Sequence, residues 1–159
     1  MNTSPRPTNH RLGLPLLAII GLGALAAVRG VLHDVNVIQE GQLINLAFVF
    51  VPLVVWVVVA VAWSTRPFLS LLAAGGVYGV LLGITHIALW DVNIATSGIE
   101  APALGGNLEG VLAPWLEAVV LRGASAMSSI VVGLVVGALC GLLAWLIRRA
   151  WAGVRAARA

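Results

Sequence analysis

Four runs of about twenty apolar residues constrain this chain more than any other feature: residues 12–32, 43–63, 68–90 and 124–147. A helix of about 20 residues crosses the hydrocarbon core of a bilayer. Inside that core every backbone N–H and C=O must be bonded within the protein, so isolated runs of this length are helices. The pattern predicts an all-α integral membrane four-helix bundle. Residues 1–11 form a tail, 12–147 the four-span membrane domain with a long loop at 91–123, and 148–159 a basic tail. Only 9% of the residues are charged, against about a quarter in a soluble domain. Spans two and three are joined by "STRP" alone, so they form an antiparallel hairpin.

The charges orient these spans. Arg6, Arg11, Arg66, Arg148, Arg149, Arg155 and Arg158 lie on one side without any acid. Arg29 and Arg122 share the other side with Asp34, Glu40, Asp91, Glu100, Glu109 and Glu117. The positive-inside rule places both termini in the cytoplasm and the acids outside. The expected location is the bacterial plasma membrane, multi-pass. Residues 1–27 also have the layout of a signal peptide, with Ala24-Leu25-Ala26 as a cleavage site. Apolar character continues to Leu32, which favours an uncleaved anchor. Arg29 falls in the last turn of span one, from which it can snorkel to the interface. The arginines mark the ends of apolar runs, so the basic balance implies topology and no nucleic acid. The C-terminal "RRAWAGVRAARA" suits anionic lipid. Trp63, Trp145 and Trp151 fall near the inner interface, Trp90 and Trp115 near the outer one.

Small residues predict the packing. Gly75, Gly79 and Gly83 recur every four residues in span three, and Ser125, Ser129, Gly133, Gly137 and Gly141 do so in span four. Such faces let two backbones approach closely. Either the two faces meet within one chain, the favoured expectation, or one of them serves a homo-oligomer or a membrane partner. Span two has no glycine and a Val-rich surface suited to lipid. Pro52 in its middle predicts a kink. Tyr78 is the main polar group at mid-depth and is expected to hydrogen-bond a neighbouring helix.

A short motif occurs twice. "HDVNVIQEG" (33–41) ends span one and "WDVNIATSG" (90–98) ends span three. Asp34 matches Asp91, Asn36 matches Asn93, and Gly41 matches Gly98. A duplicated two-helix hairpin would produce this. As local structure the motif reads as a helix stop, because Asn and Gly tolerate the left-handed turn that ends helices. As chemistry it reads as a site: His33, Asp34, His86 and Asp91 would converge at the outer end and hold a divalent transition metal. Two facing histidines could also bind haem b iron. The spacings HxxxH, ExxH and CxxCH are all missing.

The absences narrow the function. There is no nucleotide loop, no GxSxG and no catalytic cysteine pattern, and Cys140 is the single cysteine. No ionisable residue sits in the middle of a span, where proton- and ion-coupled transporters place one. The leading expectation is a small non-enzymatic membrane protein that acts through helix packing or partner contact, with no cofactor. The alternatives are an outward-facing His/Asp site for metal or haem, and a subunit of an oligomeric transporter or channel. The helix that begins at Pro114 either lies on the outer surface or continues straight into span four, and loop 91–123 is long enough to cap the outer mouth.

Overall fold

A computed structural model describes residues 11–39, 41–97, 102–105 and 110–157. Every regular element among them is helical: α1 (Leu16–Asp34), α2 (Leu43–Trp63), α3 (Pro67–Ala88), α4 (Trp90–Ser97) and α5 (Pro114–Ala156). Four of these, α1, α2, α3 and α5, are long and apolar enough to cross a membrane. Arg6, Glu40, Gly98, Glu100, Glu109 and Arg158, named above, lie outside the described residues.

The expected boundaries of span two match α2. Span four does not begin near residue 124. Pro114 at the first helical positions and Glu117 in the first turn start a single helix of 43 residues. At about 1.5 Å per residue it is roughly 65 Å long, about twice a bilayer core. The pre-helix therefore runs straight through Gly123.

α3 is the central strut. It packs most extensively on α5 and next on α1, while α2 contacts α1 and α5. The two glycine faces meet each other within the chain. A Cβ on Gly75 would strike the Gly133 carbonyl, one on Gly79 would lie 2.8 Å from the Ser129 carbonyl, and one on Gly137 would lie 2.5 Å from that of Leu71. Backbone meets backbone there, so dispersion acts over the whole contact.

α1 docks on α3 by the same device, which the sequence reading had not singled out. A Cβ on Gly23 would lie 2.6 Å from a Val77 methyl, and one on Gly30 would lie 2.5 Å from a Leu82 methyl. Ala26 and Ala27 are buried between them. The signal was present in the seven-residue spacing of Gly23 and Gly30, bracketing two alanines.

α2 turns Pro52, Trp56 and Ala60 inward and leaves Val51, Val54 and Val58 exposed. That division matches a lipid-facing surface. Trp56 is fully buried, and its indole N–H donates to the Leu22 carbonyl at 2.8 Å. Its ring meets Tyr78 edge-on, with centroids 6.2 Å apart. The expected hydrogen bond from Tyr78 to a neighbouring helix is not formed among the described residues; the ring contact takes its place.

At the end carrying Arg11, Arg66 and Arg148 the chain is laced across the α2–α3 turn. The Thr65 N–H donates to the Gly13 carbonyl at 3.1 Å, and Ser70 Oγ donates to Leu12 at 2.6 Å. Ser64 Oγ lies 2.7 Å from Ser70 Oγ, and Arg148 reaches the Ser64 carbonyl. Gly13 has φ +89°, and a Cβ on it would lie 2.6 Å from the Arg66 nitrogen. Only glycine fits there.

Candidate functional site

The opposite end of the bundle holds the histidines, and the way α1 stops positions them. Asn36 has φ +57°. Its N–H donates to the His33 carbonyl at 2.9 Å, and the Val37 N–H donates to the Leu32 carbonyl at 2.9 Å. This is the double bond pattern of a Schellman cap, with Asn in the left-handed position. The first Asp-Val-Asn is therefore a helix stop, as its residue types predict. It leaves His33 and Asp34 in the last turn of α1.

The second copy behaves differently. α3 ends at Ala88, the chain turns at Leu89 (φ −101°, ψ 10°), and α4 begins at Trp90. Asp91 and Asn93 thus lie inside a helix, not at the end of one. The expected equivalence of the two motifs fails in backbone conformation. The two are still in touch, because Asn36 Nδ2 donates to the Thr96 carbonyl at 2.8 Å. That bond ties the end of α1 to α4.

His86, two residues before the end of α3, faces Asp34. Its Nδ1–H donates to Asp34 Oδ2 at 2.6 Å. His33 Nδ1 lies 3.5 Å from Asp34 Oδ1. The carboxylate between them is 2% exposed, whereas the His33 and His86 side chains are 33% and 30% exposed. Burial of a carboxylate at this depth requires a charged or donating partner, and two imidazoles face it.

These three residues line a cavity of about 300 Å³, together with Trp90, Asn93 and Ser125. Pro102 also lines it, so the 91–123 loop contributes to the wall. Glu117 draws that loop onto α5 by accepting the Leu104 N–H at 2.7 Å. Ser125 brings α5 to the same cavity, a role its place in the small-residue stripe did not reveal.

Asp91 is not part of the group. It is 85% exposed and pairs with Arg122 at 2.9 Å. Arg122 also lies over the Trp90 ring, 5.8 Å from its centroid. So exposed a pair contributes little to stability. Of the four sequence-predicted site residues, His33, Asp34 and His86 come together and Asp91 stands apart. Among the described residues no set of three or more His, Cys, Asp or Glu side chains is arranged to hold a metal ion.

One further residue departs from expectation. Because α1 continues to Asp34, Arg29 is not in its last turn. Arg29 Nε donates to Asn45 Oδ1 in the first turn of α2 at 2.8 Å, and the partly buried side chain lines a pocket with Tyr78.

Comparison with protein-family models, curated proteins and solved structures yields no match to this chain.

Proposed function

We propose that this chain is a small, non-enzymatic protein of the bacterial plasma membrane that binds a ligand from outside through the His33–Asp34–His86 pocket. The carrying observation is a carboxylate 2% exposed, flanked by two imidazoles, on the wall of a 300 Å³ cavity. Satisfying Asp34 structurally needs one partner. Both histidines line the cavity and remain partly exposed to it.

The chemistry follows from the hydrogen bond. Asp34 accepts Nδ1–H from His86, which fixes the tautomer and leaves the Nε2 lone pair available. Carboxylate–histidine pairs of this kind support metal-binding imidazoles. With His33 alongside, the donor set suits a borderline divalent ion such as Zn²⁺, Ni²⁺ or Cu²⁺, with water filling the remaining positions. Haem is a poorer match. In a bis-histidine haem the two Nδ1 atoms point away from the iron in opposite directions, whereas here both approach one carboxylate.

Equilibrium dialysis of purified protein against each of these ions tests the reading. One ion per chain is expected, lost in His86→Ala and retained in Asp91→Asn. Asp34→Asn should weaken binding about 10- to 100-fold, the usual effect of removing a carboxylate behind a metal-bound histidine. Absence of stoichiometric binding, or binding that survives His86→Ala, would return the protein to the partner-contact reading.

The orientation is part of the proposal and is supported by the arginine distribution. A cytoplasmic reporter should be active when fused at the C-terminus, and a periplasmic reporter when inserted at Gly105. A cytoplasmic signal from Gly105 would reverse the topology. In this orientation Arg148, Arg149 and Arg155 face the inner leaflet, where each contributes about 1 kcal/mol towards anionic lipid.

A further inference from the structure

The end of the bundle opposite the histidines carries a second pocket, of about 370 Å³, lined by Thr65, Pro67, Trp145, Arg148 and Arg149. It lies where the α2–α3 turn meets α5. Two guanidiniums are held there by different contacts. Arg148 donates to the Ser64 carbonyl, which engages one of its five N–H groups. Arg149 lies 5.2 Å from the centroid of the Trp145 ring, a cation–π contact that leaves N–H groups of its fork available. α3 starts at Pro67 on the pocket wall, and no side chain caps that start. The positive end of the helix dipole therefore adds to the two charges.

No acid opposes them. Every acid of the chain belongs to segments 34–40 and 91–117, whose described residues lie at the histidine end. Towards the middle of the bundle the surface beside the pocket turns apolar. Phe68, Leu142 and Leu146 are exposed, and Trp145 is exposed at the boundary. α3 and α5 touch directly there, since a Cβ on Gly141 would lie 2.9 Å from the Phe68 carbonyl oxygen. Both helices are long and apolar enough to cross a membrane, where such a surface meets acyl chains. A small soluble anion would use the arginines alone. A phospholipid uses the arginines and the apolar surface together.

We propose that this pocket is a site for one phospholipid of net negative charge in the leaflet at the arginine end. Its phosphate sits between Arg148 and Arg149, and an acyl chain runs along Phe68 and Leu142. Arginine forks match phosphate oxygens in geometry as well as charge. The site turns the general attraction of the basic C-terminal segment for anionic lipid into a discrete one. It rests on the membrane embedding proposed above and is independent of the histidine pocket. Arg155 does not line it.

Native mass spectrometry of the full chain, from micelles carrying equal amounts of phosphatidylglycerol and phosphatidylcholine, tests this. One phosphatidylglycerol per chain should be retained in preference. Arg149→Gln should lower its affinity about tenfold or more, the effect of losing a charge-assisted hydrogen bond. Arg155→Gln should leave it unchanged. The described contact of Arg149 is with Trp145 of its own helix, so the Arg149→Gln variant should fold. If it does not, a photoactivatable phosphatidylglycerol on the unaltered chain decides. Labelling at Phe68 or Leu142 supports the site, and labelling only elsewhere defeats it. Equal weakening by Arg149→Gln and Arg155→Gln, or no preference between the two lipids, would leave only the general attraction of the basic segment. If soluble glycerol 3-phosphate displaces the lipid and is itself retained, the ligand is a soluble phosphate ester and the lipid assignment falls.

Discussion

Gly137→Leu is expected to lower the thermal unfolding midpoint of the detergent-solubilised protein by roughly 10 °C, or to prevent its accumulation. The added Cβ alone would lie 2.5 Å from the Leu71 carbonyl oxygen and 3.0 Å from the Gly75 Cα. Both are backbone atoms of the facing helix, so neither can swing aside. α3 and α5 must separate along their length, and the dispersion contacts that hold them are lost together. Overpacking of a well-fitted contact costs about 1–3 kcal/mol and sometimes more. At about 2–4 °C per kcal/mol for a chain of this size, the upper part of that range gives the expected shift. Gly21→Leu is the matched control, since a Cβ there meets no atom within 4 Å. A midpoint that moves equally for the two variants would mean that leucine itself, and not the α3–α5 contact, is at fault. An unchanged midpoint for Gly137→Leu would show that these helices do not meet as described.

His86→Leu should be the most destabilising change at the histidine end, by about 3 kcal/mol, the scale for leaving a buried charged acceptor without its hydrogen-bond donor. The reason is asymmetric burial. Asp34 is 2% exposed and cannot find water, whereas the His86 side chain is 30% exposed and can. Removing the histidine leaves the carboxylate with His33 at 3.5 Å as its remaining partner among the described contacts. Asp34→Asn keeps an acceptor for Nδ1–H and should cost only about 1 kcal/mol, the net worth of an ordinary hydrogen bond. Replacing both residues by leucine should recover much of the His86→Leu loss, because removing both partners of a buried hydrogen bond in favour of apolar groups is often nearly neutral. Chemical or thermal unfolding of the three variants measures this ordering. Equal losses for His86→Leu and Asp34→Asn would show that Asp34 does not depend on His86 for its burial.

Both predictions separate what the chain's own pattern determined from what folding decided. Long apolar runs leave a backbone in lipid no choice but helix, so α2 and the cores of α1, α3 and α5 were legible without coordinates. Four-residue spacing of glycine is a local property of one helix, and it correctly marked the faces of α3 and α5 that meet. Asn36 has the residue type that tolerates positive φ, so the end of α1 could be read as well. Asn93 sits in the same tripeptide and lies within a helix. Local sequence did not separate the two, because the break at Leu89 and the Asn36–Thr96 bond belong to the way α1, α3 and α4 are assembled. The same holds for the charged groups. Residue types offered two histidines and two aspartates as equals, but the direction in which each helix presents its side chains brought Asp34 between the imidazoles and sent Asp91 to Arg122. Arg29 was legible as a cation near the end of span one, but its bond to Asn45 depends on how α1 and α2 pack. Helix formation is fixed by local bonding in a medium without water. Which polar groups share a cavity is fixed by the rotation and register of whole helices, and only tertiary packing sets those.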